Sequence, residues 1–180
     1  MSPRAPDGRF AWSHPAHFIA LGLGSGLIPF APGTVGTLLA IPVFYALAFV
    51  LSPRAMLLAC AAMFALGVWA CGRTGRDLGV ADHGSMNWDE LVAFVFVLTF
   101  VPLSLKWNAA AFVLFRFFDI VKPAPVSTVD RLVGGGLGVM LDDFVAAAYT
   151  LLLLALAMWL TKGGGWEVWM TSKRWLFGSG

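Results

Sequence analysis

Seven carboxylates stand in this chain where a strongly apolar sequence should exclude them: Asp82, Asp89, Glu90, Asp119, Asp130, Asp142 and Asp143. Most fall in three blocks. D-H-G-S-M-N-W-D-E, residues 82–90, ends a polar loop read from residue 72 and sets His83 among its acids; Asp82 and Asp89 are seven apart, two turns on one face if that segment is helical. R-F-F-D-I-V-K-P-A-P, residues 116–125, places Arg116, Asp119 and Lys122 three apart, on one face of a helix that the prolines then end. G-G-G-L-G-V-M-L-D-D, residues 134–143, closes on the Asp142–Asp143 pair. Like charges gathered in this way repel unless a cation neutralises them. An all-oxygen donor set suits Mg²⁺, which keeps positions for water and phosphate. Arg116, Lys122 and Arg131 are the positive partners a phosphate would require. The chemistry implied is metal-assisted phosphoester hydrolysis, in which the ion polarises the phosphoryl oxygen and lowers the pKa of a water. The cations would stabilise the charge of the transition state. His83, beside Asp82, is a candidate proton carrier. Capping of a helix start explains one acid of Asp89–Glu90 well and the second less well.

The elements that must hold these residues are membrane helices. Of the 180 residues 59% are apolar and 12% charged, with a mean hydropathy of +0.80, far from soluble composition. A net charge of +2 gives no case for a nucleic-acid partner. Cys60 and Cys71 share one apolar run at a spacing that suits no metal, and count as small apolar side chains. Apolar runs over 35–51, 55–71, 91–103, 107–121 and 144–160 predict an all-α, polytopic membrane helical bundle of about four to five spans. Residues 1–17 read as a polar surface arm carrying His14 and His17. Residues 18–160 form one membrane-embedded catalytic domain, and 161–180 an interfacial tail rich in Trp with Lys162, Lys173 and Arg174. No cleaved signal is expected, because apolar runs continue through the chain.

Residues 18–37 hold five glycines and two prolines, and cannot form a simple span. Two readings stand level. In one the small residues let helices approach closely; in the other they form a glycine-rich re-entrant segment whose amides, with Ser25, Thr34 and Thr37, meet an anion. A five-span count returns all seven acids to one membrane face. The arginines of residues 72–90 and of the N-terminus make that face cytoplasmic by the positive-inside rule.

With G-S-G-L-I-P-F-A-P-G-T-V-G-T at 24–37, the three blocks closely resemble the phosphatidylglycerophosphatase A family, in the same order and over roughly Phe18 to Tyr149. The resemblance implies a Mg²⁺-dependent enzyme of the bacterial cytoplasmic membrane. Such an enzyme takes phosphatidylglycerophosphate from the bilayer and yields phosphatidylglycerol and phosphate at the cytoplasmic face. It further implies Asp89, Glu90, Asp142 and Asp143 as metal ligands and Asp119 or Asp82 as a further ligand or general base. Arg116 and Lys122 would grip the phosphate, and His83 is a candidate acid for the leaving oxygen, beside a carboxylic acid or a metal-bound water. Water and an aspartate both remain open as nucleophile. Signatures of other lipid phosphotransfer enzymes, D-G-x-x-A-R and P-S-G-H, are absent. The alternative from another class is a small transporter or channel subunit that uses Arg116 and Asp119 as an ion relay.

Overall fold

The computed structural model describes residues 5–122 and 133–161, and every described element is helical. Two short helices open it, α1 (Gly8–Ser13) and α2 (Pro15–Ala20). Asp7 caps the first by accepting from the Phe10 amide at 2.8 Å, and Pro15 starts the second, where its missing N–H costs nothing. A kinked 3-10 segment, Gly22–Leu27, follows, with Leu23 and Gly24 in left-handed backbone. The long helices are α3 (Pro32–Val50), α4 (Pro53–Leu78) and α7 (Gly135–Thr161). Between them lie the shorter α5 (Trp88–Phe100) and α6 (Leu105–Val121).

Three of these helices, α3, α4 and α7, are long and apolar enough to cross a membrane. Their outward faces expose Phe49, Leu58, Leu152 and Leu160, side chains that only an apolar surrounding would accept at such density. The sequence counts α5 and α6 as spans as well. At 1.5 Å per residue they reach only about 20 and 25 Å, short of a hydrocarbon core of about 30 Å. Instead α5 is the axis of the bundle. It packs against α3, α4, α6 and α7, and Leu91, Val92, Phe94, Val95 and Leu98 are essentially sealed from solvent. A helix apolar all round belongs inside.

Three boundaries differ from the sequence expectation. Residues 72–78, read as the start of a polar loop, are the last two turns of α4, which ends on left-handed Gly79. Asp82 therefore lies in the short loop 79–87 and does not share a helical face with Asp89. Asp142 and Asp143, expected to open the last span, sit two turns inside α7. His17 also departs from the surface arm assigned to it: it is 4% exposed, and its Nε2 lies 2.9 Å from Asp77 Oδ2 on α4. Asp77 holds Arg73 as well, at 2.7 Å. The first two helices are thereby fastened to the bundle.

The α4–α7 crossing depends on missing side chains. A Cβ on Gly136 would stand 2.0 Å from the Val68 carbonyl oxygen and 2.5 Å from the Gly72 nitrogen, backbone atoms that cannot turn aside. Gly136→Ala should therefore force these helices apart and destabilise the protein by about 1–3 kcal/mol or more. The measurement is the thermal midpoint of the purified variant in detergent. An unchanged midpoint would mean that the crossing has room to spare.

Candidate active site

The site forms where α5 starts. Trp88 anchors that start by donating its indole N–H to the Met63 carbonyl at 3.1 Å, which fixes the two acids that follow. Asp89 Oδ1 accepts from the Glu90 amide at 3.0 Å, as an acid in a first helical turn does. Donor oxygens of Asp89, Glu90 and, from α7, Asp143 all lie within 4.8 Å of one another. Asp119 on α6 is tied to the group by Arg116, which it contacts one helical turn away. Carboxylates gathered this closely need a proton or a cation among them.

Arg116 lies across this group. Its Nη1 is 3.7 Å from Glu90 Oε1 and in close contact with Asp119 Oδ2. Its Nε is buried with no acceptor among the described residues, and Glu90 Oε2 is buried with no donor. Buried polar atoms left open in this way cost free energy unless a ligand completes them. Lys122 caps α6 in left-handed backbone and extends its amine to Asp142 Oδ2. Asp142, one residue from Asp143 and so about 100° around the helix, is not a member of this group of three and pairs with Lys122.

The glycine-rich segment reaches the same place through α3. Its N-cap is Ala31, which offers no side-chain acceptor, so the first amides of α3 are uncapped. A Cβ on Gly33 would meet Glu90 Oε1 at 2.1 Å and the Arg116 guanidinium at 3.1–3.2 Å. Only glycine lets the start of α3 lie against these two side chains. Thr34 is half-buried beside it. Ser25 and Thr37 are turned to other tasks. Ser25 donates to the Gly22 carbonyl and accepts from Asn87 Nδ2 at 2.9 Å, while the fully buried Thr37 donates to the Gly33 carbonyl at 2.9 Å.

Asp82 is exposed on the loop. His83 is half-buried. Its Nδ1 accepts from the Ser85 amide at 3.1 Å, so the neutral ring carries its hydrogen on Nε2. Arg131 and Asp130 lie outside the described residues.

Sequence reasoning missed Asn87. This fully buried residue donates from Nδ2 to the Pro32 carbonyl at 2.8 Å as well as to Ser25, and its own amide donates to the Ala20 carbonyl at 3.0 Å. It thus joins the start of α3 to the start of α5. The available signal was a capping residue immediately before Trp-Asp-Glu, yet Asn87 makes no side-chain cap bond and reaches back to α3 instead.

This arrangement can hold a hard cation on three carboxylates, grip an oxyanion with a guanidinium and move a proton on Asp119. Comparison with known proteins points the same way. Residues 18–158 match the model of the family described as PgpA, phosphatidylglycerophosphatase A. The phosphatidylglycerophosphatase A of Haemophilus influenzae is 41% identical over 162 residues, covering 89% of this chain and 99% of that protein. The protein of the same name from Escherichia coli is 43% identical over 152 residues, 80% and 86% of the two chains. A Bacteroides thetaiotaomicron protein provisionally named a phosphatidylinositol-3-phosphatase is 42% identical over 149 residues, 79% and 92%. No solved structure matches.

Proposed function

The chain belongs to the phosphatidylglycerophosphatase A family and is a membrane phosphatase, and from that premise we propose that it hydrolyses the terminal phosphomonoester of phosphatidylglycerophosphate with the help of Mg²⁺. One observation carries this: Asp89, Glu90 and Asp143 converge within 4.8 Å directly beneath Arg116 and the uncapped start of α3. The substrates named for the relatives share a phosphomonoester on a headgroup that a phosphodiester joins to diacylglycerol. The site acts on the monoester.

Asp89, Glu90 and Asp143 are an all-oxygen set of the kind Mg²⁺ takes, and the open Oε2 of Glu90 is a buried acceptor that a cation would satisfy. When bound, the ion would polarise the phosphoryl oxygen and make a water a better nucleophile. The chain's own residues do the rest. Arg116 binds phosphoryl oxygens, and its contact with Glu90 and Asp119 holds the guanidinium in place before the substrate arrives. The amides of Gly33 and Thr34 face the same anion. Asp119 takes the proton of the attacking water as the bond from phosphorus to the glycerol oxygen breaks. Asp119 then passes that proton to the leaving oxygen, toward which the Nε2–H of neutral His83 is a hydrogen-bond donor. Lys122, held by Asp142, is the second cation offered to the phosphate. The acids lie on the cytoplasmic face of the inner membrane, with Arg9, Arg73 and Arg76 on the same side. An ion relay through Arg116 and Asp119 is not favoured, because that pair closes on the carboxylate group instead of lining a path.

The test is phosphate release from phosphatidylglycerophosphate by purified protein in detergent, first with Mg²⁺ and then with excess EDTA. Release that EDTA abolishes and added Mg²⁺ restores is the expected result. Release that persists in EDTA would remove the metal, and no release at all would remove the substrate.

A further inference from the structure

Beside the acid group, and separate from it, lies a hollow of about 400 Å³ between the end of α4 and the start of α7, lined by Gly72, Gly75, Arg76, Gly79 and Gly135. We propose that this hollow binds the phosphodiester of the lipid headgroup through Arg76 and so selects lipids that carry a second phosphate. The proposal rests on the phosphatase function above.

Arg76 is exposed and pairs with no carboxylate among the described residues, whereas its neighbour Arg73 is held by Asp77 at 2.7 Å. A cation in the last turn of a helix often serves the terminal carbonyls, but here backbone already does so. The Gly79 amide donates to the Arg76 carbonyl at 3.2 Å, and the Val80 amide to the Gly75 carbonyl at 3.0 Å. The guanidinium turns back along α4 instead. A Cβ on Gly72 would meet Arg76 Nη1 at 3.8 Å and the Gly136 nitrogen at 3.3 Å, which puts the charge beside the first turn of α7. The glycines supply the volume, since any side chain at Gly72 or Gly75 would fill it or strike backbone.

The hollow also lies at a suitable distance from the chemistry. The helix that lines the hollow, α4, packs against both α5 and α7, which carry Asp89, Glu90 and Asp143. Along α7, Gly136 and Asp143 are seven residues apart, about 10 Å. A glycerol joining two phosphates can bridge such an interval. A lipid whose acyl chains remain in the bilayer keeps its phosphodiester at headgroup level, near the helix ends, while its terminal phosphate bends inward to the acids. Remote binding of this kind directs the reacting group without touching it.

The experiment compares wild type, Arg76→Gln and Arg76→Lys in detergent. The probes are phosphatidylglycerophosphate, dioctanoyl phosphatidylglycerol (phosphodiester, no monoester) and inorganic phosphate. Arg76→Gln should raise KM for phosphatidylglycerophosphate about tenfold, the loss of one charge-assisted contact, while kcat stays within about twofold. Inhibition by dioctanoyl phosphatidylglycerol should weaken by a similar factor and inhibition by inorganic phosphate should not change. Arg76→Lys should recover part of the loss. The proposal is overturned if KM and phosphatidylglycerol inhibition match wild type, or if inorganic phosphate weakens equally. Calorimetric binding of dioctanoyl phosphatidylglycerol to wild type and Arg76→Gln decides it even if wild type releases no phosphate. That last outcome would count against the assigned reaction alone.

Discussion

Asp143→Asn should lower phosphate release from phosphatidylglycerophosphate on the order of a thousandfold while leaving the folded protein intact. Asp143 is the member of the acid group that comes from α7. One of its oxygens lies within 4.8 Å of oxygens of Asp89 and Glu90, and Arg116 links Glu90 to Asp119, the proposed base. The amide keeps the volume of the carboxylate and removes its charge, so the hold on the cation suffers. Stability should not fall with activity. Relieving a buried crowd of like charges is often neutral or favourable. The check is kcat over a Mg²⁺ titration, set beside the thermal midpoint in detergent. A kcat close to wild type at the same Mg²⁺ would take Asp143 out of the site. Asp142→Asn is the contrast. It removes the counter-ion of Lys122 and should cost less than Asp143→Asn.

Gly33→Ala should cost on the order of a hundredfold in kcat/KM, the usual scale for a displacement of about 1 Å among reacting groups. The added methyl would stand 2.1 Å from Glu90 Oε1 and 3.1–3.2 Å from both terminal nitrogens of Arg116. These atoms are the free ends of side chains. They can swing away with little damage to the fold, and in doing so they leave the positions that catalysis requires. Kinetics and thermal denaturation of the same preparation separate the two effects. A variant as active as wild type would show that Glu90 and Arg116 work from positions other than those described. This differs from Gly136→Ala, where the obstruction is backbone and stability itself falls.

The helical membrane class and the acid blocks were legible in the sequence because both depend on residue type alone: long apolar runs, and charges that lipid would reject. The ends of helices were not. Hydropathy marks where a helix meets lipid and does not mark where it stops, so the last two turns of α4, with Arg73, Arg76 and Asp77, read as loop. The same confusion hid the first turns of α7, whose glycines look like a turn but permit the crossing with α4. The central place of α5 was hidden for another reason. A run that is apolar on every side looks the same whether lipid or protein surrounds it, and only its 13 residues hinted at protein. Among site residues, Asp89, Glu90, Asp119 and Arg116 came together from blocks far apart in the chain. Pairing by helix periodicity misled for Asp82 and Asp89, because the loop between them is not helical. His17 and Asn87 were out of reach, since each earns its burial from a partner about 60 residues away.

The shortness of α5 also bears on how the protein is made. A segment of 13 residues that begins with two acids is a poor candidate to leave the insertion machinery alone. Its neighbours α3 and α4 precede it in the chain, but its last wall, α7, is synthesised some fifty residues later. Until α7 arrives, Asp89 and Glu90 have no Asp143 beside them, and the proposed cation site is incomplete. On the proposed mechanism, catalytic competence therefore appears only with α7, as a late event in assembly that no fragment ending before it can anticipate.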